Sequence, residues 1–163
     1  MDPHEKLYFE DVEIGRRFLS ATHEVAAEEI KRFAAEYDPQ PFHLDEEEGR
    51  RSHFGGLSAS GWHVAAAYMK LTVADIKRVV DEAIARGEVP VPSGPSPGFR
   101  ELKWIKPVLA GDTLSYASET VAKRELASRP EWGLVSMYNT GTNQRGELAF
   151  SFMGSVFMPR RSA

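Results

Sequence analysis

From residue 58 to residue 87 the chain reads SASGWHVAAAYMKLTVADIKRVVDEAIARG, with no proline anywhere in it. Between Trp62 and Ala74 the stretch is apolar nearly all round, with Lys70 the one charge. Beyond Ala74 the apolar positions narrow to Ile76, Val79, Val80, Ala83 and Ile84, the spacing of one helical face. This pattern predicts a long helix, capped by Ser60 or Ser58 and stopped at Gly87. A helix apolar on every side has to be wrapped by other structure. Upstream, GRRFLSATHEV (15–25) mixes aromatic and β-branched residues and reads as a strand. Residues 26–37 place Ile30, Phe33, Ala34 and Tyr37 on one helical face, with Glu28 and Glu29 suited to the first turn. The Asp38-Pro39 step ends that helix, because a residue before proline is pushed out of the helical region. Residues 45–51 predict a short helix with Asp45 as N-cap and Glu48 three positions on. The segment 88–98 carries four prolines and reads as a loop. Strands are expected at 99–106, 112–124, 133–143 and 147–158. In the last, Leu148, Phe150, Phe152, Val156 and Met158 alternate along one face. Turns at 109–112 and 143–146 punctuate the strands. One strand and helices, then a run of strands, predicts an α+β fold with an antiparallel sheet around one buried helix.

Composition narrows the function classes. At 163 residues the chain is expected to form a single domain spanning 1–163, with enough mass for a core that needs no disulfide or metal. A net charge of −4 and a pI near 5.8 leave no basic stripe for phosphates, which argues against nucleic acid as a partner. Cysteine is absent, so thiolate nucleophiles, disulfides and cysteine-ligated metals are excluded. MDPHEKLYFED, at the N-terminus, has no apolar segment of a secretory signal, and no run approaches the roughly 18 apolar residues of a membrane span. A cytoplasmic protein with no membrane partner is the expectation.

Two stretches carry candidate chemistry. In EYDPQPFHLDEEE (36–48), Asp38 and His43 stand five residues apart around two prolines. A carboxylate and an imidazole sharing a site can position one water and move its protons. The same pair also fits a turn-capping aspartate and a surface histidine. The prolines stiffen the loop without choosing between the two. In GGLSASGWH (55–63), Gly55, Gly56 and Gly61 permit close backbone approach, and Gly61 falls where the long helix begins. Free N–H groups there suit a developing oxyanion, and close helix–sheet packing explains the same glycines. His63 and His53 have no partner at metal-ligand spacing, so no metal site is expected, and His63 reads as a buried or interface residue. Met69, Met137, Met153 and Met158 read as core filler, and Trp104 and Trp132 as packing residues. His23 and His4 carry no signal.

Four segments in this order, YFEDVEIGRRF (8–18), FAAEYDPQPFHLD (33–45), FGGLSASGWH (54–63) and LKWIKPVLAGDTL (102–114), resemble the MaoC-like dehydratase family, the (R)-specific enoyl-CoA hydratase branch of the hot-dog fold. The resemblance spans about residues 7–158, and Asp-Pro-x-x-x-His is its most specific part. It implies a curved antiparallel sheet wrapped around a long central helix. It implies that Asp38 and His43 activate water, that the Gly61 N–H polarises a thioester carbonyl, and that Ser60, Phe42, Gly56 and Trp62 contact substrate. The substrate implied is an acyl-CoA, without metal or redox cofactor, and the assembly a homodimer or higher homo-oligomer. Two departures stand out. Ser60 occupies a position where many active hydratases of the family have histidine, and Ala66 one where some have serine. A hot-dog thioesterase and a non-catalytic acyl-CoA-binding subunit are the alternative readings.

Overall fold

The alternating C-terminal half does form a sheet, and the long apolar segment lies against it. The computed structural model describes residues 8–161, so His4 and most of the N-terminal stretch read above lie outside the described residues. After a 3₁₀ turn (Phe9–Asp11) come β1 (Arg17–Glu24), α1 (Ala27–Tyr37), α2 (Pro41–Leu44), α3 (Glu46–Arg51) and α4 (Gly61–Ala85). Strands β2 (Gly98–Trp104), β3 (Thr113–Glu125), β4 (Trp132–Asn143) and β5 (Leu148–Pro159) follow. They form one antiparallel sheet in the order β1-β3-β4-β5-β2. Register shifts interrupt every pairing, as between Leu19 and Thr22 and between Arg100 and Lys103. Such bulges bend strands and increase local twist, so the sheet curves around α4.

α4 presents His63, Val64, Ala67 and Tyr68 to the protein interior, the i, i+1, i+4, i+5 pattern of one helical face. Val64, Ala67 and Tyr68 join the core that holds Leu114, Tyr116 and Phe150, which are essentially inaccessible. Burying one such aromatic contributes about 1.5–3 kcal/mol. The polar tips find partners: Tyr116 donates to the Val64 carbonyl at 3.1 Å, and Tyr68 to Asn139 Oδ1 at 2.7 Å. A second cluster at the far end of the sheet joins Phe9, Val12 and Val135 to Met137, Val156 and Met158. Gly133 is needed there, since a Cβ on it would lie 2.1 Å from the Phe9 ring.

Three expectations change. Residues 41–44, read as loop, form the single turn α2, started by Pro41 at its first position, where a fixed φ suits a helix. Four residues are too few to show a period. α4 is wrapped on one side only: Trp62, Met69, Val73 and Ile76 are each about half exposed in the single chain. Met69 is therefore not core filler. Among the described residues no helix is long and apolar enough to cross a membrane.

Candidate active site

α1 stops at Tyr37 because Asp38, held before Pro39, takes an extended φ of −154°. Its backbone N–H still closes the last turn on the Ala34 carbonyl, and its side chain leaves the helix end. Pro41 then starts α2, which carries His43 inward to 5% exposure. His43 Nδ1 lies 2.6 Å from the Ser58 carbonyl oxygen and 3.2 Å from Ser58 Oγ. A carbonyl only accepts, so Nδ1 carries a proton, and in the neutral form of the ring Nε2 is left as an acceptor. That Nε2 faces Asp38 Oδ2 at 3.5 Å.

Burial would raise the Asp38 carboxyl, but hydrogen bonds from Ser60 and Gln40 and the nearby His43 together hold it below the usual aspartate value. Gln40 Nε2 donates to Oδ1 at 2.8 Å, leaving Oδ2 directed at the imidazole. An ionised carboxylate oxygen and an unprotonated ring nitrogen both accept. A molecule with two O–H donors seated beside the pair, on the cavity side, can donate to both.

Ser60 joins this pair to α4. Its Oγ accepts from the Trp62 N–H at 3.3 Å as the helix N-cap, while its hydroxyl serves Asp38. Gly61 follows as the first helical residue, where backbone N–H groups have no intrahelical partner. No described residue accepts from the Gly61 N–H. A Cβ here would fall 2.2 Å from the Trp104 indole, so only glycine fits beneath that ring. Asp38, His43, Ser60 and Gly61 line one cavity of about 620 Å³, together with the polar Gln40, Ser58 and Lys106. Phe42, Phe54, Val64, Val108 and Ala149 supply its apolar walls.

The structure thus brings Asp38, His43, Ser60, Gly61, Phe42 and Trp62 to one cavity. Phe42 packs edge-on against the His43 ring, with centroids 4.6 Å apart, and so helps fix its orientation. Trp62 stands half exposed at the mouth. Gly56 lies outside the lining. It backs onto Gly49, whose own Cβ would come within 2.7 Å of the Gly56 carbonyl. Trp104, read as a packing residue, instead lines the cavity over Gly61 and meets Trp62 edge-on at 5.2 Å. Its sequence neighbourhood held no sign of this, because only strand register carries the end of β2 to the start of α4. Ala66 faces a separate, smaller cleft.

The chain belongs to the MaoC like domain family, which matches it over residues 10–133. The crystal structure of the MaoC-like dehydratase from Rhodospirillum rubrum is 40% identical, covers 96% of this chain and 99% of that one, and superposes with a TM-score of 0.80. The architecture is the hot-dog fold, α+β with a long helix held by the sheet. The uncharacterized protein YdeM of Bacillus subtilis (strain 168) is 31% identical over 147 residues, 90% of this chain and 95% of that protein. A shorter match of 34% over 64 residues, 39% of this chain but 18% of the relative, is to the mesaconyl-CoA hydratase of Cereibacter sphaeroides. In broad terms these relationships support a hydratase or dehydratase.

Proposed function

We propose that the protein adds water across the double bond of a 2-enoyl-CoA, or removes it from the 3-hydroxyacyl-CoA. The observation that carries this reading is the facing pair of acceptors, Asp38 Oδ2 and His43 Nε2, 3.5 Å apart in the cavity that Gly61 also lines. A water donating to both is oriented and made nucleophilic. Its oxygen bonds to C3 as one proton passes to the Asp38–His43 pair. The C2=C3 electrons shift toward the thioester oxygen, where the Gly61 N–H stabilises the enolate-like charge. A proton from the pair then goes to C2, so that one H and one OH have been added. Loss of one such donor typically costs about 2.7–4 kcal/mol. The α-position is acidified by the thioester itself, so the scheme calls on no metal or redox group.

Ser60 supports an active site despite replacing the histidine expected there, because it supplies both the helix cap and a hydrogen bond to Asp38. The thioesterase reading wants a carboxylate or serine facing the thioester from α4, and among the described residues the α4 part of the lining, Gly61, Trp62 and Val64, supplies neither. A homodimer in the cytoplasm completes the proposal. Its support is the exposed apolar side of α4.

The test follows ultraviolet absorbance of the conjugated enoyl thioester, using crotonyl-CoA and a panel of branched and longer enoyl-CoAs. The wild type should consume at least one, and Asp38→Asn and His43→Ala should each be slower by at least about a hundredfold. Binding of acyl-CoA with no consumption of any member would overturn the hydratase reading in favour of a non-catalytic binding protein.

A further inference from the structure

Outside the cavity, three titratable side chains from three elements converge. Glu29, in the first turn of α1, has Oε1 3.4 Å from Nε2 of His63 on α4. Its other oxygen, Oε2, is 3.0 Å from Nε2 of His23 on β1, a contact off the line of a good hydrogen bond. His63 is 4% exposed, and Phe33 of α1 stacks on its ring at 4.8 Å and 13°. Burial pushes the His63 imidazole below its ordinary value, more than the Glu29 carboxylate beside it restores. A neutral ring facing a carboxylate through Nε2 keeps its proton there, which leaves Nδ1 as the buried atom with no partner among the described residues.

The placement of this cluster matters more than its charge. His63 lies two residues after Gly61, within the same helical turn, and α1 runs from Glu29 to its end beside Asp38. Ile30 and Ala34 also fasten α1 to the interior, but apolar contacts are non-directional and leave a helix free to rotate. The polar links between α1 and the start of α4 are the Ser60–Asp38 hydrogen bond within the site and the Glu29–His63 contact behind it, where the Phe33 stack also holds the His63 ring.

We propose that Glu29 is a positioning residue: by holding His63 it fixes the rotation of the first turn of α4, and with it the aim of the Gly61 N–H relative to Asp38 and His43. The inference rests on the hydration reading for its kinetic consequence and on geometry alone for its structural one. Glu29→Gln keeps the size of the side chain and one acceptor but removes the charge and the second acceptor oxygen, so the three-residue bridge cannot be satisfied as before. Misaiming an oxyanion donor lowers turnover more than ground-state binding.

The experiment compares Glu29→Gln with Ile30→Val, which loosens the same helix without touching a polar group. Each is measured for kcat, KM, thermal midpoint and the Gly61 amide position in a proton–nitrogen NMR spectrum of the full chain. Glu29→Gln should lower kcat roughly tenfold or more with KM within about twofold. It should also shift the Gly61 amide, although residue 29 is not in contact with it. Ile30→Val should lower the thermal midpoint and leave kcat and that amide in place. A Glu29→Gln protein with wild-type kcat and an unmoved Gly61 amide overturns the proposal. So does loss of kcat in both variants in proportion to lost stability, which marks a merely structural contact. If the wild type hydrates nothing and Glu29→Gln still moves the Gly61 amide, the hydration reading fails and the positioning role stands.

Discussion

Ser60 shows how much one side chain decides in this site. Its oxygen caps α4 and its hydroxyl proton stabilises the Asp38 carboxylate, so Ser60→Ala removes two interactions together. The lost cap should cost about 1 kcal/mol in chemical denaturation. The lost donor should let the Asp38 carboxyl rise from its lowered value. A carboxylate with a depressed value in the fold contributes stability above its ordinary 3.8, and that contribution is lost as pH falls through the folded value. In Ser60→Ala that contribution is smaller, and its loss still starts at the ordinary value but is complete at higher pH. The acid limb of kcat/KM moves up with the folded value. A limb that stays in place would mean that Ser60 does not tune the acid. Gly61 obeys a different constraint. Gly61→Ala keeps the N–H but drives a methyl into the Trp104 indole, and Trp104→Leu in the same chain should recover part of the stability lost, a coupling that a double-mutant cycle reads directly. Asp38 and His43 were legible in the sequence because they sit within one local motif. Trp104 was not, since nothing in LKWIKP says which helix end its strand will reach. Gly56 was expected at substrate, but its carbonyl instead packs on Gly49, whose missing side chain makes room for it.

At the level of elements, periodicity was a good guide wherever an element is long enough to repeat. The strand expected at 112–124 is Thr113–Glu125, that at 147–158 is Leu148–Pro159, and the helix expected at 26–37 is Ala27–Tyr37. Asp45 caps α3 as its position before an acidic run implied, accepting from the N–H groups of Glu47 and Glu48. What periodicity does not report is the pairing between elements, and the contact of α1 with α4 through His63 is of that kind. His63 read as a buried or interface residue, and it is buried, but no spacing rule joined it to Glu29 or His23. Its burial has a pH signature. A histidine whose folded value lies below the ordinary 6.5 lets the unfolded chain take up a proton first. Its contribution is neutral above 6.5 and becomes destabilising as pH drops below it, until the folded protein takes up the proton as well. Urea midpoints at pH 7.5, 6.5 and 5.5 should therefore decline toward acid. His63→Phe, which keeps a ring against Phe33, should flatten that decline. An equal slope in the variant would assign the pH dependence to other groups.

The whole molecule leaves one face of α4 unaccounted for. Trp62, Ala66, Met69, Val73 and Ile76 follow one another at intervals of four, three, four and three residues, all exposed in the single chain. That is the spacing of a seam between two helices rather than of a solvent face. The sequence showed a helix apolar on both sides, yet hydrophobicity is blind to whether the cover comes from the same chain or another copy. The magnitudes set the gain from this seam against the cost of association. Full burial of a large apolar side chain contributes about 1.5–3 kcal/mol, and these are already half covered, while association costs about 4–15 kcal/mol. A symmetric pair buries four such side chains from each copy, about 6–12 kcal/mol, which is of the size of that cost, so a further contact would add margin. The outer edge of β2, the last strand in the sheet order, offers a row of unpaired backbone groups for it. The proposed homodimer should therefore weigh about twice the 18.2 kDa of one chain by light scattering at micromolar concentration. Val73→Glu, which sets a charge at the centre of the seam, should shift that mass toward the single chain while each chain stays folded by circular dichroism. Because Trp62 belongs both to the seam and to the cavity mouth, the dissociated variant should also bind acyl-CoA more weakly. A wild type of single-chain mass would remove the dimer from the proposal, and a Val73→Glu dimer would move the interface to another face.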